Sequence, residues 1–136
     1  MKALLGILLA LLTSFVPAFI YGVVLWWLDR YEKEPTVLLT CAFIWGAVPA
    51  IGFSLVVQLI LAQPLADFVD PASASLIEAS VFAPLTEEIF KAGALLFLLL
   101  FFRREIDTPL DGVIYGCIVG LGFAAVENAL YLVGEA

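Results

Sequence analysis

The chain contains no histidine. Imidazole-based metal sites and Ser–His or Cys–His nucleophilic catalysis are therefore excluded for this sequence. Cations are also scarce: 6 Lys and Arg stand against 13 Asp and Glu, a formal net charge of −7. That balance argues against nucleic acid as a partner. The two cysteines, Cys41 and Cys117, lie inside apolar stretches and have neither disulfide nor zinc spacing. Each is expected to be a small buried hydrophobe.

What is present in excess is apolar surface. Of 136 residues 64% are hydrophobic, and the mean hydropathy is +1.12. A soluble core of this length has no use for so much, so the class is integral membrane protein with the lipid bilayer as a partner. Apolar blocks run over roughly 4–28, 36–62, 76–102 and 111–133. Each reaches the roughly 20 residues that span a bilayer. Lipid satisfies no backbone polar groups, and the alternation of a barrel strand is missing, so the blocks are predicted to be helices. The expected fold is all-α: a polytopic membrane helical bundle with four transmembrane helices, a single domain over residues 1–136. The first block runs on to Leu28 without a cleavage site and is read as a retained helix, not a signal peptide.

Basic residues in short loops set orientation. Arg30 and Lys33 follow the first block, and Arg103 and Arg104 follow the third; the opposite side has only Lys2. Both basic loops are placed on one side, the cytoplasmic one, with the amino terminus outside.

Charge inside the third and fourth blocks is the feature that points to function. A carboxylate at the centre of a membrane helix costs about 2.5 kcal/mol or more. Glu87 and Glu88 stand together in Ala83-Pro-Leu-Thr-Glu-Glu-Ile-Phe-Lys91. At ~100° per residue, Ser80, Ala83, Pro84, Glu87, Lys91 and Ala94 share a face, Glu88 sits to the side, and Glu87 and Lys91 can pair at i, i+4. Pro84 loosens the helix at Ser80. In the fourth block Gly112, Gly116, Gly120 and Ala124 recur every fourth residue, the pattern of a close helix–helix seam. Glu127 and Asn128 lie near that stripe. Glu88 is 15 residues from Arg103 and Glu127 is 16 from Asp111, about 22–24 Å from the same membrane face. Glu87, Glu88 and Glu127 are thus expected at one depth, in the outer half of the membrane. Three carboxyls in a dry pocket cannot all ionise, and one protonated beside one ionised carboxyl suits acid–base work on water. Asn128 is the expected oxyanion donor.

Each feature also has a plain structural explanation. Glu87–Lys91 can be a bundle ion pair, Glu88 can face a water-filled vestibule, Glu127 and Asn128 can bond between helices, and the glycine stripe can be packing alone. Asp29 to Pro35 defaults to a solvated loop, with Asp67, Asp70 and Glu78 solvated on the outer face. Trp26, Trp27 and Tyr31 read as an interfacial belt.

Three segments together resemble the PrsW family of intramembrane proteases and, more distantly, the CAAX prenyl endopeptidase group. They are Asp29-Arg-Tyr-Glu-Lys-Glu34-Pro35, the Ala83–Lys91 segment above, and Asp111-Gly-Val-Ile-Tyr115 through Phe123-Ala-Ala-Val-Glu127-Asn128-Ala-Leu-Tyr131. The resemblance implies a polytopic peptidase of the bacterial cytoplasmic membrane that cleaves membrane-anchored proteins, often anti-sigma regulators. It implies Glu87 and Glu88 as the catalytic pair, with Glu127, Asn128 and Lys91 in the site and Glu34, Pro35, Asp111 and Tyr115 as supporting motif positions. The family is filed as a metalloprotease, which implies a divalent metal such as zinc; Glu87, Glu88 and Glu127 are the ligands this chain offers. A glutamate-activated water without metal is argued for relatives. Family members continue into further helices that bring histidines, so the chain is expected to be the amino-terminal part of such a protease. Two rival functions come from the residues: a catalytically inactive module that binds membrane proteins, and a subunit of ion-coupled transport.

Overall fold

The structure is a computed structural model that describes residues 2–29 and 33–134, apart from the side chains at positions 2, 3 and 66. Arg30 and Tyr31, used above for orientation and for the aromatic belt, lie outside the described residues, as does the side chain of Lys2. Among the described residues all regular structure is helical: α1 (Lys2–Leu28), α2 (Thr36–Trp45), a π-helical turn (Gly46–Ala50), α3 (Ile51–Phe68), α4 (Pro71–Ile77), a second π turn (Glu78–Phe82), α5 (Ala83–Phe101) and α6 (Pro109–Gly134). The π turns join α2 to α3 and α4 to α5, so the chain forms four rods.

Both π turns have the same cause. Pro49 sits inside the first, and Pro84 lies two residues past the second. Proline lacks the N–H that would bond the carbonyl four residues back, and its ring collides with that carbonyl. Widening the turn to i→i+5 bonding relieves the clash without ending the helix. The third rod starts earlier than position 76 because Asp70 caps it. Its carboxylate accepts from the N–H groups of Ala72 at 3.2 Å and Ser73 at 3.1 Å, and Pro71 fills the first helical position. The 63–75 loop expected from the sequence therefore shrinks to Val69 and Asp70.

Three helical rods are long and apolar enough to cross a membrane: Leu4–Leu28, Thr36–Leu65 and Pro109–Gly134. The protein is a helical membrane protein. The rod from Pro71 to Phe101 carries Glu78, Glu87, Glu88 and Lys91 and falls short of that apolarity. Large apolar side chains face outward along the bundle, among them Leu4, Phe19 and Leu59, each over 70% exposed. Cys41 and Cys117 are also on this outer surface and not in the core. Their apolar flanks reflect lipid contact and not burial.

Helix α6 is the central rod. Ile114, Ile118, Gly122, Ala125 and Ala129 form its buried stripe, with Tyr115 and Val119 beside it at 0% and 1% exposure. The close backbone approach is made by Gly122 against Phe43 and by Gly46 against Val119. A Cβ on either glycine would strike the facing carbonyl. The predicted seam of Gly112, Gly116 and Gly120 does not form: nothing lies within 4 Å of a Cβ at Gly112 or Gly120, and only the Leu95 side chain meets one at Gly116. Two residues correspond to about 200° around a helix, so the row containing Gly120 faces nearly opposite to Gly122.

The loop after α1 is tied to the first turns of α6. Tyr115 Oη donates to Glu34 Oε2 at 2.6 Å, and the Glu34 N–H donates to Asp29 Oδ2 at 2.8 Å. Asp29 and Glu34 are buried, at 4% and 6% exposure, and do not belong to a solvated loop. Thr108 and Asp111 close a capping box at the start of α6. The Thr108 N–H donates to Asp111 Oδ2 at 2.8 Å, and the Asp111 N–H donates to Thr108 Oγ1 at 3.3 Å.

Candidate active site

At the other end of α6 a cleft opens between α3, the π turn at Glu78–Phe82, α5 and α6. It has two compartments, of about 420 and 320 Å³. Ala83, Glu87, Glu127 and Tyr131 line both, so the two glutamates stand on the wall between them. Ser75, Glu78, Ala79 and Pro84 complete the first compartment; Ser54, Gln58 and Phe123 are among those completing the second.

The elements explain the placement. Trp45 Nε1 donates to the Phe90 carbonyl at 3.0 Å and its ring stacks on Phe97, which ties the end of α2 to the middle of α5. The Gly46–Gly122 contact draws α6 against the same π turn. Glu87 on α5 and Glu127 on α6 are thereby brought to one level from opposite sides of the cleft. Both line the same two compartments, and Lys91 Nζ lies 3.7 Å from Glu87 Oε2.

Lys91 holds both members of the Glu87–Glu88 pair. Its Nζ bonds Glu88 Oε1 at 2.8 Å, lies 3.7 Å from Glu87 Oε2, and sits 4.0 Å above the Phe123 ring. The sequence pattern anticipated Glu87 with Lys91; the shorter bond goes to Glu88. The two glutamates differ in address. The Glu87 side chain is 21% exposed and faces the cleft, whereas that of Glu88 is 72% exposed and lines neither compartment. Adjacent helical residues diverge by about 100°, so one helix cannot aim both at Glu127.

Asn128 is exposed and also lies outside both compartments. Glu34, Pro35, Asp111 and Tyr115 gather at the far end of α6, about 18 Å along the helix from Glu127. They tie loops together and do not reach the cleft. Two residues passed over in the sequence enter it. Glu78, expected to be solvated on the outer face, lines the first compartment. The π turn holds one extra residue and swings it toward the cleft by about a quarter turn. Gln58 arrives from α3, and its amide nitrogen donates to Thr86 Oγ1 at 3.1 Å. The sequence signal for it was a single amide in an apolar block, unpaired with anything nearby in sequence.

The sequence matches the profile of the family described as "PrsW family intramembrane metalloprotease" over residues 34–136. It is 37% identical to Protease PrsW of Clostridioides difficile (strain 630) over 109 residues, 79% of this chain and 43% of that protein. It is 32% identical to Protease PrsW of Geobacillus kaustophilus (strain HTA426) over 107 residues, 79% of this chain and 44% of that protein. The chain thus spans about half the length of the curated relatives it matches. No solved structure matches it. The family description names a metal, and a catalytic zinc site commonly takes three protein ligands. Among the described residues no three acidic or cysteine side chains gather closely enough to hold an ion. The donors present do not fit a metal. With three quarters of its length under the family profile, the chain belongs to the PrsW family of intramembrane proteases.

Proposed function

We propose that this chain carries the catalytic cleft of an intramembrane peptidase that hydrolyses membrane-anchored proteins, anti-sigma regulators among them. The observation that carries the reading is the meeting of Glu87 and Glu127, from two helices, in one cleft. Glu87 takes a proton from water as the water oxygen bonds the peptide carbonyl carbon. Glu127 supplies a proton to the departing amine, and a proton passing between the two carboxyls restores the site. Lys91 neutralises part of the acidic charge that would otherwise oppose burial of the pair. Glu88 holds Lys91 from outside the cleft.

In this reading the rod from Pro71 to Phe101 is a fourth membrane crossing. Its charges are tolerated because Glu78 and Glu87 face the cleft and Glu88 is paired with Lys91. The basic loops lie in the cytoplasm, the amino terminus lies outside, and the cleft opens in the outer half of the bacterial cytoplasmic membrane. The depth of Glu127, about 24 Å from Asp111, supports that address.

The test is cleavage of a quenched-fluorescent peptide with one apolar span by the purified protein in proteoliposomes. Glu87→Gln and Glu127→Gln are each expected to slow turnover by roughly 100-fold or more. A Glu87→Gln protein that cleaves at the normal rate would rule the mechanism out.

A further inference from the structure

We infer that Gln58 is the donor that receives the scissile carbonyl oxygen in the Glu87–Glu127 cleft, an inference that rests on the peptidase reading above. Gln58 projects from α3 into the compartment whose wall includes both glutamates. Its amide is held in one orientation. Thr86 is buried, and its hydroxyl is directed at the carbonyl oxygens of Phe82 at 2.8 Å and Ala83 at 3.0 Å. A hydroxyl has one proton to give. With that proton engaged on the backbone, Thr86 offers only lone pairs to Gln58, so the group facing it at 3.1 Å is the NH₂ end. One amide N–H is bound to Thr86; the other has no partner among the described residues. The anchor is the immediate neighbour of Glu87. Donor and base are therefore fixed to the same turn of α5, although the donor comes from another helix. Asn128, the amide that the sequence favoured, is exposed and lines neither compartment.

The chemistry needs such a group. As the water oxygen bonds the carbonyl carbon, the C=O π pair moves onto oxygen while Glu87 takes the water proton. The negative oxygen receives the free N–H of Gln58. When the C=O re-forms, the C–N bond breaks and the amine takes the proton from Glu127. One water is consumed, giving a carboxylic acid and an amine. A preorganised donor at that oxygen acts on the transition state more than on the bound substrate.

The experiment measures kcat and KM on the same single-span peptide in proteoliposomes. Gln58→Leu is expected to lower kcat roughly 100- to 1,000-fold with KM nearly unchanged. Gln58→Met, close in size but without an N–H donor, is expected to do the same, which separates the donor role from packing. Thr86→Val, which releases the amide, is expected to lower kcat as well. Unchanged kcat in Gln58→Leu or Gln58→Met, or a rise in KM alone, overturns the donor role while leaving the peptidase reading intact. Absence of Glu87-dependent cleavage in the unaltered protein overturns both.

Discussion

Glu34 shows how a single side chain sets a measurable property. It lies in the loop before α2, outside the membrane-crossing segments. Burial pushes its carboxyl above the ordinary value of 4.5; Asp111 and Asp29 nearby push the same way, and the Tyr115 hydroxyl opposes them. A group whose pKa is raised by folding adds stability below its unfolded value, and that stability is lost as pH rises through the folded value. The fold should therefore lose stability as pH climbs above about 4.5 through the raised value. Glu34→Gln should flatten that part of the profile, measured by thermal unfolding in detergent from pH 4 to 8. Tyr115→Phe removes a buried 2.6 Å bond to the same carboxyl and should cost about 1–3 kcal/mol. An identical pH profile in the wild-type protein and in Glu34→Gln would contradict this assignment.

Among elements, the decisive contact is the crossing of α6 with the first π turn. Gly122→Ala and Gly46→Ala each drive a methyl into a facing carbonyl, and backbone cannot give way as a side chain can. Each should destabilise by about 1–3 kcal/mol or more and disturb the cleft as well. Gly120→Ala meets open space and should be neutral, or stabilising by up to about 1 kcal/mol from helix propensity. Thermal unfolding of the three variants decides between the two glycine rows. The sequence presents the four-residue row of Gly112, Gly116 and Gly120 more conspicuously than Gly122, yet contact depends on which face α6 turns to α2. Periodicity shows that a stripe exists without showing what it faces. The same limit hid Glu78, whose phase was altered by a π turn that follows from Pro84 but whose width no residue announces. The helices themselves were legible, since apolar runs and bounding prolines are local signals.

For the whole molecule, the candidate site was legible in part. Glu87 and Lys91 are neighbours on one helix face, and Glu127 matches Glu87 in depth, so their convergence could be reckoned from rise per residue. That reckoning gave height and not azimuth, so it gathered Glu88 and Asn128 too. Gln58 is linked to Thr86 by a contact between residues 28 apart, and only the fold reveals it. A membrane peptidase built on two carboxyls from separate helices has a distinctive mutational signature. Trp45→Phe, which loses the 3.0 Å bond to the Phe90 carbonyl, should lower stability by about 1 kcal/mol while the residual activity keeps its dependence on both Glu87 and Glu127. The most direct measurement compares turnover of Glu88→Gln with that of Glu127→Gln in proteoliposomes. Glu127→Gln should fall roughly 100-fold or more, and Glu88→Gln should stay within about tenfold of wild type. If Glu88→Gln loses activity as Glu87→Gln does while Glu127→Gln retains it, the catalytic pair is the adjacent one, and a cross-helix pair of Glu87 and Glu127 is ruled out.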